Sequence, residues 1–410
     1  MLSPDTVDRT LSERLRHAQP SATIAISELA RRLASEGKQV ISLSTGELDF
    51  DTPAHIQAAA VAAISNGQTR YTDVSGTAAL KAAIIRKFAR DNQLHFDASQ
   101  IIAATGAKQI LFNALLATLN PGDEVIVAAP FWVSYTEMVS LNGGTPVVLV
   151  PDASAGFKLT PALLRGALTP ATRWLILNSP SNPSGTLYSR SELQALAQVL
   201  ADFPRVLVLA DDIYEKIVFE AEFASFAQAA PAMQGRTLTV NGVSKSHAMT
   251  GWRLGYAGGP AWLIKAMNLL QSQSTSNPSS ISQAAAVAAL DGPQDFLAAW
   301  RERLRGRRDL ALSILEQASP VLAPQRPVAA FYIFVDCTRA IGMRTESGQV
   351  IDSDMDVVKY LLEDAGVAVV PGAAFGVGGY FRLSFATSEA QLQAACQQIV
   401  AACKKLVHEK

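Results

Sequence analysis

The chain has 410 residues, 49% of them hydrophobic and 17% charged, with a formal net charge of -1. That length can bury a substantial core, and the composition is that of a folded protein rather than a disordered one. The near-neutral balance excludes the electrostatic footprint of a nucleic-acid or anionic-membrane binder, so an anionic ligand would have to be held by a few placed groups.

At the N-terminus Asp5, Asp8 and Glu13 stand without an apolar stretch, unlike a secretory leader, and no apolar run reaches the roughly 18 residues needed to span a bilayer. From about residue 100, short β-branched runs alternate with longer helical patterns, which predicts a parallel sheet with helices outside. The predicted strands are Ile101–Thr105, Glu124–Ala129, Pro146–Val150, Trp174–Asn178, Val206–Ala210, Leu238–Asn241 and Gly255–Gly258. Pieces such as Leu207-Val208-Leu209 are apolar on both faces, as strands covered on both sides must be. A long helix is expected from about Phe296. Its arginines 301, 303, 305, 307 and 308, interrupted by Glu302 and Asp309, read as a solvated face. Beyond it, strands Ala330–Val335 and Tyr380–Phe385 mix with helices as a second, α+β domain, against which the residues before Asp51 are expected to pack. Cys337, Cys396 and Cys403 are odd in number and scattered, which predicts buried thiols in a reducing cytoplasm rather than disulfides. The histidines show no metal-ligand spacing, so no metal site is expected.

In an open parallel sheet, ligands bind outside the carboxyl ends of the strands. After the first strand comes Thr105-Gly106-Ala107-Lys108-Gln109 and a helical pattern, where small residues let backbone N–H groups approach an anion. After the fourth comes Asn178-Ser179-Pro180-Ser181-Asn182-Pro183-Ser184-Gly185, a rigid turn that could hold the Asn182 amide against a ligand. The fifth ends in Asp211-Asp212-Ile213-Tyr214, and an acid leaving so apolar a strand needs a cation or hydrogen bonds. After the sixth comes Gly242-Val243-Ser244-Lys245-Ser246-His247, then Met249-Thr250-Gly251-Trp252-Arg253-Leu254-Gly255-Tyr256. A lysine among small and apolar residues is poorly solvated, which lowers its pKa and makes the amine nucleophilic. Taken singly, each feature also reads as plain turn or cap chemistry. Together they suit a cofactor carrying a phosphate, a cationic ring nitrogen and an aldehyde, which are the features of pyridoxal phosphate.

The run Asn241–Tyr256 resembles the lysine segment of class I pyridoxal-phosphate aminotransferases of fold type I. Asn182-Pro183-Ser184-Gly185 resembles that family's Asn-Pro-Thr-Gly motif, and Asp211-Asp212-Ile213-Tyr214 its Asp-Glu-Ile-Tyr motif. Ser44-Thr45-Gly46-Glu47-Leu48-Asp49-Phe50 is similar to its Gly-Glu-Pro-Asp-Phe motif, and Pro371-Gly372 with Arg382-Leu383-Ser384 to its C-terminal one. The resemblance runs from about Pro20 to Val400 and is strongest to bacterial aspartate aminotransferases. It implies an α/β fold: a large cofactor domain (51–295) with a mostly parallel seven-stranded sheet, and a smaller α+β domain formed by 1–50 and 296–410. It also implies a cytoplasmic homodimer with shared active sites.

The resemblance assigns roles as well. Lys245 would bond the cofactor aldehyde and shuttle the proton. Asp211 would pair with the ring nitrogen, while Tyr214 and Asn182 would bond the phenolic oxygen and Trp132 would stack on the ring. Gly106, Ala107, Lys108, Ser244 and Arg253 would hold the phosphate, with Tyr71 from the neighbouring subunit. Arg382 would clamp the substrate α-carboxylate, helped by Gly46, Trp132 and Asn182, and Lys108 would reach a side-chain carboxylate. Among departures, Leu48 replaces proline, which is expected to loosen its loop; Asp212 replaces glutamate; Gly242 replaces a serine; and His247, two residues past the lysine, has no assigned role, packing near the site being the default. The segment Gln271–Gln283 contains no cation. Gly376-Val377-Gly378-Gly379 lacks the following helix that a dinucleotide fingerprint requires. The expected activity is transfer of an amino group between an L-amino acid, aspartate favoured, and 2-oxoglutarate by a ping-pong mechanism. Alternatives are an aromatic or broad-specificity aminotransferase, a carbon–sulfur lyase or γ-elimination cyclase on the same scaffold, and a non-catalytic binding protein that kept the cofactor.

Overall fold

The computed structural model describes residues 10–16 and 22–408, so Asp5, Asp8 and Pro20 lie outside the described residues. Its seven-stranded sheet consists of β1 (Ile101–Ala104), β2 (Glu124–Ala128), β3 (Thr145–Leu149), β4 (Thr172–Asn178), β5 (Leu207–Asp211), β6 (Thr237–Gly242) and β7 (Gly255–Gly258). The order across the sheet is β1-β7-β6-β5-β4-β2-β3. Every strand is parallel to the others except β7, which runs antiparallel to both β1 and β6. All the expected strands are present, with ends displaced by a residue or two.

The helices that matter here are α1 (Ala22–Ser35), α2 (Ala107–Thr118), α3 (Ser134–Leu141), α4 (Arg190–Ala201), α5 (Ala261–Ser272), α6 (Ser280–Asp291), α7 (Phe296–Leu315) and α8 (Glu389–Cys403). Alternation along the strands feeds two separate cores. Val125, Val127, Trp174, Ile176, Leu207 and Leu209 face α2 and α5. Their neighbours Ile126, Leu175, Leu177, Val208 and Ala210 face α4. Each valine, leucine and isoleucine among them contributes about 1.5–3 kcal/mol on leaving water, which is why these strands are apolar throughout.

A second sheet of four strands holds β8 (Tyr332–Asp336) and β9 (Tyr380–Ser384), paired antiparallel with Phe334 opposite Arg382. Residues before Asp51 pack here: Ile26, Ala30 and Leu33 of α1 join the core of β8, β9, α7 and α8, and Ile41 pairs with Val367. Cys396 and Cys403 lie buried on α8, and burial pushes both thiols up to about 12. Cys337 is also free and buried. After Gly379 the chain enters β9 rather than a helix.

The solvated-face reading of the α7 arginines is corrected for two of them. Arg301, Arg303 and Arg305 are exposed, but Arg307 is 2% and Arg308 0% exposed. Arg307 forms a two-pronged pair with Asp49 at 2.7 and 2.8 Å, and Arg308 pairs with Glu220 and Asp309. The Asp49 pair fastens the loop before the sheet domain to α7. Leu48, in the same loop, is buried in the core of the second sheet. Among the described residues, no helix is long and apolar enough to cross a membrane, and no group of three or more His, Cys, Asp or Glu could hold a metal ion.

Candidate active site

β1, β2, β4, β5 and β6 end at one edge of the sheet, and the antiparallel β7 begins there. The segments that follow the first five, and the residues just before β7, therefore converge. They enclose a cavity of about 350 Å³ lined by Gly46, Ala107, Lys108, Trp132, Asn182, Asp211, Tyr214, Ser244, Lys245, Arg253 and Arg382. Every expected site residue lies here except two. Gly106 sits one residue behind the wall. Tyr71 is 91% exposed and lies outside the cavity.

The candidate phosphate cradle at the start of α2 depends on two glycines. α2 starts without a side-chain cap, leaving its N-terminal dipole available to an anion. Gly106 has φ +89°, and a Cβ there would come within 2.6 Å of Arg253 Nη2. A Cβ on Gly255 would come within 2.2 Å of the Ala107 nitrogen, so only glycine lets β7 lie against the start of α2. Arg253 itself has φ +52°, and its Nη1 donates to the Thr250 carbonyl at 2.9 Å. A non-glycine residue in that region is strained, and surrounding bonds must hold it.

Asp211 ends β5 on the cavity floor, 4% exposed. Its Oδ2 accepts from the Tyr135 hydroxyl at 2.7 Å and its Oδ1 from the Ile213 amide at 3.3 Å. Burial nevertheless pushes it up to about 6, because neither donor brings a full positive charge. Lys245 Nζ donates to the Gly46 carbonyl at 2.5 Å. Burial, followed by the nearby Arg382, lowers its amine to about 8, so a useful fraction is the free nucleophile at neutral pH.

Opposite, β9 delivers Arg382, 2% exposed. Its Nη1 donates to Asn182 Oδ1 at 2.9 Å and its Nη2 to the Ser44 carbonyl at 2.5 Å, and its Nε has no partner. No acidic side chain among the described residues forms an ion pair with it, an expensive state for a guanidinium unless an anion arrives. Lys108 Nζ rests 4.7 Å over the Trp132 ring and 3.2 Å from Ser134 Oγ. Burial and the neighbouring Arg253 lower its pKa.

Two residues were missed from sequence. Tyr135 bonds Asp211, and it stands only three positions beyond Trp132. Tyr332 shares a 2.8 Å hydroxyl–hydroxyl bond with Tyr214 and lies 4.5 Å beneath the Arg382 guanidinium. It is two residues from Phe334, the partner of Arg382 across β8 and β9, so register rather than motif reveals it. Burial raises the Tyr214 hydroxyl far above its ordinary range, keeping it a neutral donor.

A buried unpaired carboxylate, a cradle that a single Cβ would fill and a lysine with a depressed pKa fit pyridoxal phosphate. Fold and site together define a fold type I pyridoxal-phosphate enzyme. The comparisons place it further. Residues 38–399 match the model of the family described as aminotransferase class I and II. The chain is 52% identical to an aspartate/prephenate aminotransferase of Cereibacter sphaeroides, over 97% of this chain and 99% of that one. It is similar to the crystal structure of an aspartate aminotransferase from Rhizobium meliloti, at 52% identity and TM-score 0.94, covering 97% and 99% of the two chains. The Thermus thermophilus aspartate aminotransferase with maleate superposes at TM-score 0.89 with 41% identity, covering 96% and 99%. The chain belongs to the class I and II aminotransferase family and is a pyridoxal-phosphate-dependent aminotransferase.

Proposed function

We propose that the enzyme transfers the amino group of aspartate to 2-oxoglutarate by alternating half-reactions in one site. The observation that carries this reading is a pair of cations on one cavity, Arg382 and Lys108, neither ion-paired to an acidic side chain among the described residues. Arg382 would take the α-carboxylate that all amino and 2-oxo acids share, through two parallel bonds. Lys108, on a flexible stem, would take a second carboxylate and turn aside for a neutral one. The names of the relatives support this: aspartate is a dicarboxylate, and so are prephenate and maleate.

The bound cofactor supplies an electron sink for the pair released when the substrate Cα–H bond breaks. Lys245 would take the proton from Cα and return it on the cofactor side, since its pKa lies near 8 and its hydrogen bond is to a carbonyl oxygen rather than to an acid. Asp211 would hold the ring nitrogen protonated. Tyr214, oriented by Tyr332, and Asn182 would donate to the phenolic oxygen, and Trp132 would cover the ring. The first-turn amides at Gly106, Ala107 and Lys108, with Ser244 and Arg253, would hold the phosphate.

The division into a cofactor domain (51–295) and a smaller one (1–50 and 296–410) belongs to the same reading, as does a cytoplasmic location. So does a homodimer in which Tyr71 reaches the partner's phosphate, supported by its 91% exposure. The loop bearing it is held for that purpose by the segment with no cation: Gln271 Nε2 donates to the Val74 carbonyl at 2.7 Å and Gln283 Nε2 to Thr72 Oγ1 at 3.0 Å.

Lys108→Ala tests the substrate. It should lower kcat/KM for aspartate and glutamate by about tenfold or more, the worth of one charge-assisted bond, while alanine and phenylalanine change little. A uniform loss across donors with weaker cofactor binding would instead make Lys108 a phosphate group, and the broad-specificity reading would stand.

A further inference from the structure

The loop that carries Lys245 is bonded to both places where the chain passes between the two sheets. At the first passage, besides the contact of Lys245 with Gly46, Thr250 Oγ1 donates to Glu47, Thr52 Oγ1 donates to the Ala248 carbonyl at 2.7 Å, and Trp252 Nε1 donates to Thr52 Oγ1 at 3.1 Å. Ala248 has φ +52°, so the Thr52 bond holds a strained backbone in place. At the second passage, between the end of α6 and the start of α7, the link is a side chain that the chemistry above does not use. His247 is 3% exposed, two residues past Lys245.

The orientation of its ring follows from its neighbours. Gln294 Nε2 donates to the Ala289 carbonyl at 2.7 Å and to the Gly292 carbonyl at 2.9 Å, which fixes the amide with Oε1 toward the imidazole. Oε1 can only accept, so His247 Nε2, 3.3 Å away, carries the hydrogen. Nδ1 is then the acceptor and takes the hydrogen of Ser246 Oγ at 2.7 Å. The bonds thus run in one direction, from Ser246 through His247 and Gln294 to the carbonyls that end α6.

We propose that His247 is a positioning residue: held in one tautomer, it fastens Ser246, and with it the backbone of Lys245, to the Gln294 strap at the passage into α7. Burial lowers the ring to about 4, with Lys216 and His55 also opposing its charge, and Gln294 and the Ala289 carbonyl favouring it. At neutral pH the imidazole keeps the single hydrogen this arrangement requires. Phe296, the first residue of α7, packs edge-to-face with the ring at 5.6 Å. Movement of α7 relative to the sheet therefore reaches the lysine loop at this passage through His247, beside the route through Arg307 and the Asp49 loop at the first. This deepens the transaminase reading and rests on Lys245 being the lysine that bonds the cofactor.

The test uses His247→Leu, which removes both bonds; His247→Asn, which keeps an acceptor near the Nδ1 position but falls short of Gln294; and Gln294→Leu, which cuts the strap from the far side. Amide hydrogen exchange of the cofactor-free protein is measured over residues 243–249. In the loaded enzyme, the pKa of the lysine–cofactor linkage is read by absorbance titration. Gln294→Leu and His247→Leu should both speed exchange over 243–249 by about tenfold and shift the linkage pKa by about half a unit, with His247→Asn intermediate. Wild-type exchange over 243–249 and an unshifted linkage pKa in Gln294→Leu overturn the proposal and leave His247 as packing alone. If His247→Leu does not fold, Gln294→Leu decides. Borohydride reduction and peptide mapping of each variant separate this from the underlying assignment: a tag on another lysine refutes the role of Lys245.

Discussion

Asp211→Asn should make the cofactor-free protein more stable at neutral pH while crippling the enzyme. In the folded chain burial raises the Asp211 carboxyl from 3.8 to about 6, so the folded state binds this proton more tightly than the unfolded state. The associated stability is therefore complete below the unfolded value and is lost as pH rises through 6. The shift of about two units corresponds to about 3 kcal/mol at pH 7.5, of which about 1.5 kcal/mol is already lost at pH 5. Asparagine can still accept from the Tyr135 hydroxyl, so the substitution removes the buried charge with little change of shape. The assay is urea unfolding of wild type and variant without cofactor between pH 5 and 7.5. The variant's advantage should grow across that range by about 1.5 kcal/mol. With cofactor present the order should reverse, because the ring nitrogen loses its anionic partner. A variant no more stable than wild type at pH 7.5, or a difference independent of pH, would refute the claim that Asp211 waits for a cation.

Arg382→Leu should lower kcat/KM for every amino donor by at least about a hundredfold, since a two-pronged charge-assisted clamp exceeds the roughly 1.5–3 kcal/mol of a single bond; steady-state kinetics over acidic, neutral and aromatic donors checks this, and a loss confined to one class contradicts it. Gly106→Ala should weaken cofactor retention by about tenfold or more, because the methyl displaces Arg253 and φ +89° is strained for alanine, and equilibrium dialysis of pyridoxal phosphate measures it.

Much of this was legible in the sequence because the physics is local. Leu207 to Ala210 must be covered on both faces, so a buried strand can be read from them alone, and Asp211 stands out as the acid that ends it. The glycines at 106 and 255 and the lysine at 245 occupy strand ends, where an open sheet binds ligands. What could not be read depends on register between distant segments. Tyr332 lies beneath Arg382 because β8 and β9 align Phe334 with Arg382, and it meets Tyr214 from a strand more than a hundred residues away. Arg307 and Arg308 look like part of a solvated run until Asp49 and Glu220 arrive from elsewhere in the chain.

Charge distribution links the fold to the chemistry. The chain as a whole carries -1, yet the cavity is lined by Lys108, Lys245, Arg253 and Arg382 against only Glu47 and Asp211. Such an excess, placed where water is scarce, favours anions entering from solvent. A phosphate dianion answers Arg253 and the first turn of α2, and a carboxylate answers Arg382. Asp211, the buried acid, is then the one group asking for positive charge, which a protonated ring nitrogen provides. Lys245 donates to the Gly46 carbonyl and lies over the Tyr214 ring, and its pKa near 8 leaves it able to give up a proton and take one back. The cations that gather the ligands also depress the one amine that must not stay charged: Arg382, next after burial, and Arg253 both lower Lys245. Binding and activation thus follow from one arrangement of charge.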